Sequence, residues 1–181
     1  MQDNTFIDPR DGQVYKIVKI GEQIWFADNF RYKCKDSFAY DDDESYVEKY
    51  GRLYTWEAAV NNAPPGWHLP TMDEWHKLNA FVEDADKEKG AGTILKSITD
   101  WKIYRDIPQG CNEFAFAALP TGIRNLDGGF NGLGYSAYFW TATIREKNSP
   151  FSKVLLNSSV IFKNDLLHPN FALSVRFVRD R

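Results

Sequence analysis

Aromatic side chains are the feature that most constrains this sequence. The chain of 181 residues contains 13 Phe, 9 Tyr and 6 Trp but only two cysteines. A chain of this length buries roughly 70% of the surface that its unfolded state exposes, so it can form a core without metal or disulfide crosslinks. We therefore expect one domain over residues 1–181. Its rings either pack in the core or form a stacking surface for sugars or bases.

Charge and hydropathy exclude several classes of protein. The formal net charge of -3 and the pI of about 5.6 argue against a nucleic-acid partner, because such binding depends on paired Lys and Arg. No apolar run approaches the roughly 20 residues of a membrane span. Residues 1–4 are polar and no apolar stretch follows them, so no signal peptide is visible. Cytosolic location and surface location after signal removal both remain compatible with the sequence.

Local patterns predict two helices in the first half of the chain. Thr71 and Glu74 have the spacing of a capping box, and apolar residues repeat at helical spacing behind them. These signals predict a helix over about 72–83 whose apolar stripe belongs to the core. A second helix is expected within 54–61, before two prolines. The stripe of the first helix consists of Trp75, Leu78 and Val82.

Apolar and β-branched segments predict antiparallel strands, mostly in the second half. The first two strands form a hairpin around Gly21, and segment 84–92 is expected to be a solvated connection. Helices in front and strands behind indicate an α+β fold. The predicted strands are 14–20, 23–27, 114–119, 122–124, 138–142, 154–156, 159–163 and 173–178.

Residue types that perform catalysis or bind metals show little organisation. His68, His76 and His168 lack nearby ligands at metal spacing, so packing roles are favoured over a metal site. The acidic run 41–44 lacks the glycine and distal glutamate of an EF-hand, which favours a solvated loop over a calcium site. Cys111 has no neighbouring histidine or cation to activate it. The local chemistry therefore predicts no enzyme, metal or cofactor.

The block Gly66-Trp67-His68-Leu69-Pro70-Thr71 and five others, spread over about residues 8–180, closely resemble the Fibrobacter succinogenes major paralogous domain. That family is similar to C-type-lectin-like folds and to the formylglycine-generating sulfatase-modifying domain. The resemblance implies two helices packed on antiparallel sheets, paired N- and C-terminal strands, and a loop-rich half that carries binding. The blocks are 8–25, 50–59, 65–75 (with Gly66-Trp67-His68-Leu69-Pro70-Thr71), 118–124, 139–143 and 174–180.

The resemblance also bears on activity and location. Family members are mostly exported or surface proteins of Bacteroidota and Fibrobacter-like bacteria, often suspected of adhesion. Formylglycine-generating enzymes use two cysteines late in the chain, and none follows Cys111 here. We expect a non-enzymatic, ligand-binding or adhesion protein of the cell surface. The alternatives are an enzyme related to the sulfatase-modifying fold and a structural module of a surface assembly.

Cysteines are also where this chain departs from the family pattern. Pro64 and Phe177 stand where the family often has cysteine, so both cysteines of a frequent family disulfide are absent together. The aromatic core is then expected to replace that crosslink, and the argument for an extracellular location is weaker. The sequence leaves open whether Cys34 and Cys111 form a disulfide or are free thiols.

Segment 144–171 is the region where the resemblance places an exposed upper face. It mixes apolar and charged residues without clear alternation, which is typical either of ordinary strands and core or of a ligand-binding face. We expect Trp140 to be buried, which favours a protein over a polysaccharide ligand, and Phe162 to join the face. The predicted binding residues are Ile144, Arg145, Phe151, Lys153, Leu156, Ile161, Lys163, Asp165, His168 and Phe171.

The composition of the C-terminal segment adds a hypothesis about sequence variation. From residue 154 to 181, Lys163 is the only Lys, Glu, Gln, Met or Trp. All the other residues can be encoded by codons that end in C, the products expected from adenine-directed mutagenesis of Asn codons. Some members of this family resemble the variable proteins of diversity-generating retroelements, which diversify this part of a lectin-like fold. The segment is therefore a candidate for retroelement diversification.

Overall fold

The computed structural model describes residues 4–145 and 149–180, which form an α+β arrangement of helices and three sheets. The predicted α+β class is confirmed, although the helices are more numerous than the two expected. The helices are α1 (Val47–Tyr50), α2 (Trp56–Asn61), α3 (Met72–Ala85) and α4 (Ala91–Leu95). The strands are β1 (Thr5–Ile7), β2 (Val14–Ile20), β3 (Gln23–Phe26), β4 (Ser37–Phe38), β5 (Leu53–Tyr54), β6 (Trp67–His68), β7 (Thr121–Arg124), β8 (Phe130–Leu133), β9 (Ser136–Arg145), β10 (Ser149–Leu156), β11 (Lys163–Leu166) and β12 (Val178–Arg179).

The first sheet joins the first and last described strands. Its order is β1-β2-β3-β12-β6, and all neighbouring strands are antiparallel. The β2–β3 hairpin turns at Gly21, whose φ of 60° lies in the left-handed region that favours glycine. Val178 of β12 pairs with Trp25 of β3. The expected pairing of N- and C-terminal strands is therefore present.

The second sheet carries the region predicted to bind ligand. Its order is β11-β10-β9-β7-β8, and β9 and β10 form its longest hairpin. Strand β7 pairs antiparallel with β8 and parallel with β9 through Gly122 and Ala137. Strands β4 and β5 form a separate two-stranded sheet. Strand β11 is an edge of the second sheet, next to the hairpin.

Helix α3 begins where the sequence predicts and connects the two large sheets. The Thr71 hydroxyl accepts a hydrogen bond from the Glu74 N–H, and the Glu74 carboxylate accepts one from the Thr71 N–H, which completes the capping box. Trp75 is fully buried, with its ring centre 4.5 Å from that of Trp25 and 5.8 Å from that of Phe139. The predicted apolar stripe is therefore the contact between α3 and both sheets.

Segment 114–119 is not the strand that the sequence predicts. The backbone has positive φ at Ala115 and Ala117, which turns successive carbonyls away from a strand path. The carbonyls of Phe116 and Ala117 instead accept hydrogen bonds from the buried guanidinium of Arg176. The need to satisfy this distant cation outweighs local strand propensity.

Three other local predictions are wrong. The expected solvated connection 84–92 is wrong only at its end: residues 84–90 are exposed or half-buried, but residues 91 and 92 belong to α4, whose residues are all buried. The expected strand 159–163 is a turn that leads into β11. Most of segment 173–178 lies outside regular strands and pairs through single bridges with Tyr54 and Phe139. In each case, tertiary contacts replace the regular pattern that the local sequence favours.

The core is aromatic, as expected, and no disulfide links the two cysteines. Cys34 and Cys111 are both free thiols. Phe177, which replaces a frequent family cysteine, is fully buried and packs edge-on against Phe26 and Phe30 at ring-centre distances of 5.6 and 4.8 Å. Such contacts contribute roughly 0.5–1.5 kcal/mol each beyond area burial. Aromatic packing thus fills one of the positions where the family often has a crosslink.

Candidate ligand-binding face

Nine of the ten predicted binding residues lie at least partly in solvent on the second sheet or the loops beside it. Within the predicted range 144–171, residues 146–148 lie outside the described residues. We call the nine residues the binding face, although the register of β10 with β11 places Phe151 on one side of the sheet and Lys163 and Asp165 on the other. Its exposed members are Ile144, Arg145, Ile161, Lys163 and His168, and its half-buried members are Phe151, Leu156, Asp165 and Phe171.

Lys153 does not belong to the binding face, contrary to the prediction. It pairs with Phe139 across the β9–β10 hairpin and points to the same side, into the core. Only 2% of the residue is exposed. Its ammonium donates to the Phe162 carbonyl at 3.2 Å and to the Asn164 side-chain oxygen at 2.7 Å. Burial lowers the pKa of Lys153 to about 8, so this residue is part of the scaffold.

Phe162, also expected on the face, is buried in the core. Its ring packs edge-on against Trp75 at a centre distance of 5.5 Å and lies 4.3 Å from the Lys153 ammonium. The backbone between β10 and β11 therefore turns so that Phe162 points inward, whereas the preceding residue, Ile161, is 55% exposed. Sequence composition alone did not distinguish these adjacent residues.

The loop between β10 and β11 is anchored through its main chain. The buried Lys96 ammonium donates to the Ser159 carbonyl at 2.8 Å, and the Gly92 N–H donates to the Val160 carbonyl at 2.7 Å. Together with the bond from Lys153 to Phe162, these contacts hold three carbonyls in four residues. Burial lowers the pKa of Lys96 to about 8. The path of this loop thus depends on its backbone more than on its outward side chains.

Strand register places a mixed row of side chains on the side of the sheet opposite Lys153. Tyr138, Val154 and Lys163 occupy directly paired positions on β9, β10 and β11, with Asp165 two residues along β11. Burial, with a smaller contribution from the negative charge of Asp165, raises the pKa of Tyr138. The half-buried Tyr138 was not among the predicted binding residues. Its period-2 position in β9 is the signal that could have identified it.

The loop after β11 is also held by main-chain contacts. The Trp56 N–H donates to the Pro169 carbonyl at 2.9 Å, and the Phe171 N–H donates to the His168 carbonyl at 3.0 Å. The Asn170 N–H donates to Nδ1 of His168 at 3.2 Å. These bonds leave Nε2 of the exposed His168 as the ring nitrogen that faces solvent.

His68, expected to be a packed loop residue, instead bridges two carboxylates. Its Nδ1 lies 2.6 Å from Asp180 Oδ1 and its Nε2 lies 2.8 Å from Glu74 Oε1. Burial alone would lower the pKa of His68, but hydrogen bonds to Asp180 and Glu74 outweigh it and raise the pKa. The contacts tie β6, the start of α3 and the end of β12 together. Within the described residues, no group of three His, Cys, Asp or Glu side chains could hold a metal ion.

Comparison with known proteins agrees with the sequence blocks. The family model described as the Fibrobacter succinogenes major domain matches residues 18–179. The chain belongs to this family. The match covers the whole second sheet, the whole binding face, and the first sheet except for β1 and the first part of β2. No curated protein and no solved structure matches the chain. No helix in the described part of this family member is long and apolar enough to span a membrane.

Proposed function

We propose that this protein is a non-enzymatic ligand-binding or adhesion protein of a bacterial cell surface, with a C-type-lectin-like fold. The observation that carries the proposal is the binding face, where Ile144 projects into solvent from the β9–β10 hairpin, Lys163 from the edge strand, and Ile161 from the loop between β10 and β11. The pairing of β3 with β12, and the helices packed on the sheets, support the lectin-like topology.

The composition of the face favours a protein ligand over a polysaccharide. A sugar-stacking site needs an open aromatic ring, but Trp140 is fully buried and its indole N–H donates to the Tyr54 carbonyl at 2.7 Å. Ile144 and Ile161 are each about half exposed. Covering such side chains contributes roughly 1 kcal/mol each, and Lys163 and Asp165 supply charged hydrogen-bonding groups. This mixture is typical of protein interfaces.

We also propose that retroelement-driven variation acts on this face. The carbonyls of Ser159, Val160 and Phe162 are held by Lys96, Gly92 and Lys153, none of which depends on the identity of an exposed side chain. A change at Ile161 would then alter the ligand contact without changing the path of the loop. The genomic test is a reverse transcriptase and a near-repeat of the 3′ end beside the coding region. Absence of both contradicts this part of the proposal.

The binding proposal is tested with a glycan array and a pull-down from surface extracts, using the same protein preparation. The test variant is Ile144→Ser/Ile161→Ser/His168→Ala. The matched control is Ile7→Ser/Ile103→Ser, which removes two exposed isoleucines outside the face. We expect the test variant to weaken the detected binding at least tenfold, about 1.4 kcal/mol, while the control binds like the wild type. Unchanged binding by the test variant would show that the site is wrong.

A further inference from the structure

A cleft outside the binding face lies between the β2–β3 turn and helix α3. Its volume is about 610 Å³, within the range of sites that hold small molecules. Its lining includes Gly21 and Gln23 from the hairpin, Lys77 and Phe81 from α3, and Phe114. None of these residues belongs to the binding face, so this site is independent of the function proposed above.

Two phenylalanines form the apolar wall of the cleft. The rings of Phe81 and Phe114 meet edge to face, with their centres 5.6 Å apart. Phe114 packs against the core and fixes the pair, whereas Phe81 remains 46% exposed. A Cβ atom at Gly21 would lie 3.1 Å from the Phe81 ring. The glycine therefore lets the ring lie directly against the hairpin backbone, with its remaining surface open to a ligand.

Two lysines supply positive charge beside this aromatic wall. Lys77 lies four residues before Phe81 and thus on the same side of α3. Lys19 of strand β2 lines the end of the cleft, but it pairs with Ile24 and its side chain lies on the face of the sheet away from α3, so it adds positive charge without direct contact. In the described chain, no carboxylate oxygen lies within 4.0 Å of either ammonium. Glu22 also lines the cleft, so the two lysines leave its lining with one excess positive charge.

We propose that this cleft binds an arylalkyl carboxylate. The aromatic ring of the ligand packs against Phe81 and Phe114, and its carboxylate accepts hydrogen bonds from Lys77. A sugar acid fits less well because few hydroxyl partners are available. The side-chain amide of Gln23 already donates to the Glu74 carbonyl at 3.2 Å.

The test uses 3-phenylpropionate as the probe and backbone amide shifts in NMR as the readout. We expect saturable shifts that include Gly21, Gln23 and Phe81. The uncharged 3-phenylpropionamide should bind about tenfold more weakly, because it loses charge-assisted hydrogen bonds. Galacturonate, which has the carboxylate but no aromatic ring, should also bind at least tenfold more weakly than 3-phenylpropionate.

Variants at exposed positions connect the affinity with the cleft while leaving the core intact. We expect Lys77→Gln to weaken 3-phenylpropionate binding about tenfold and Phe81→Ala to abolish saturable binding. Lys87→Gln removes the same charge at an exposed lysine outside the cleft and should bind like the wild type. Equal affinity for the amide and the carboxylate, tighter binding of galacturonate, or shifts outside the cleft would each overturn the proposal.

Discussion

Replacing Arg176 by lysine tests the central polar contact of the fold. The guanidinium is fully buried. It donates from Nε to Asn29 Oδ1 at 2.7 Å, from Nη1 to the carbonyls of Phe26 at 3.3 Å and of Phe116, and from Nη2 to that of Ala117 at 3.0 Å. Burial lowers the pKa of Arg176 to about 9, so it is still a cation at neutral pH. One side chain therefore connects the first sheet with segment 114–119.

The size of the stability loss in Arg176→Lys follows from the geometry of the hydrogen-bond donors. An ammonium is a single point with three donors and cannot span acceptors arranged around a planar fork, so Arg176→Lys loses at least two of the four bonds. Each hydrogen bond to a charged group contributes about 1.5–3 kcal/mol. We therefore expect the free energy of unfolding to fall by at least about 3 kcal/mol. For a domain of this size, that lowers Tm by roughly 6–12 °C.

Urea denaturation followed by tryptophan fluorescence measures this loss. The control is Arg179→Lys, because Arg179 is exposed and such surface changes stay within about 0.5 kcal/mol. If Arg176→Lys unfolds within 1 kcal/mol of the wild type, the buried fork does not anchor segment 114–119 and the reasoning fails.

Three further predictions concern buried or bridging groups. The pKa of Lys153 is about 8 in the fold and about 10.4 in the unfolded chain, so the unfolded chain binds more protons than the folded chain between these pH values. The free energy of unfolding, measured by urea titration, should therefore rise from pH 8 to 10, and it should rise less steeply with pH in Lys153→Met. The raised pKa of His68 means that protonated His68 stabilises the fold. This stabilisation is fully present below the pKa of His68 in the unfolded chain and is lost as the pH rises through its pKa in the folded chain. His68→Gln should therefore destabilise the fold more at pH 5.5 than at pH 8.5, with a difference of less than about 1 kcal/mol; equal losses would contradict this. A Cβ atom at Gly92 would lie 2.7 Å from the Val160 backbone, so Gly92→Ala should destabilise by about 1–3 kcal/mol in calorimetry, whereas an unchanged Tm would show that the loop shifts freely.

Helix α3 and segment 114–119 show what the sequence could predict. The capping box of Thr71 and Glu74 depends on residues three positions apart, so its signal is local and the helix start was predictable. The turn at 114–119 depends on Arg176, about 60 residues later. Nothing in the apolar pattern of that segment indicates a distant cation that needs its carbonyls. Local propensity therefore predicted a strand.

In the binding face too, local sequence patterns could not predict the position of single residues that depends on distant contacts. Residues 152–155 of β10 are buried on both sides of the strand, so alternation could not tell which residues of the strand reach solvent. Lys153 was predicted to bind because it is a charged residue within segment 144–171, which the resemblance places on an exposed face. Its inward position follows from its pairing with Phe139 and from the carbonyls that meet its ammonium, and both depend on register. The exposure of Ile144 and Lys163 could be predicted without knowing the strand register.

The buried cations share a chemistry that suits a loop-rich fold without disulfides. Within the described residues, Arg176, Lys153 and Lys96 have no carboxylate partner and donate to main-chain carbonyls of other segments, which lie 60 residues away for Arg176, 63 for Lys96 and 9 for Lys153. A carbonyl is present whatever side chain the residue carries, so these bonds fix the backbone path and leave the outward side chains unconstrained. Burying each cation costs free energy, which hydrophobic packing must offset. A binding face supported in this way can change its exposed residues while the scaffold beneath it keeps its structure.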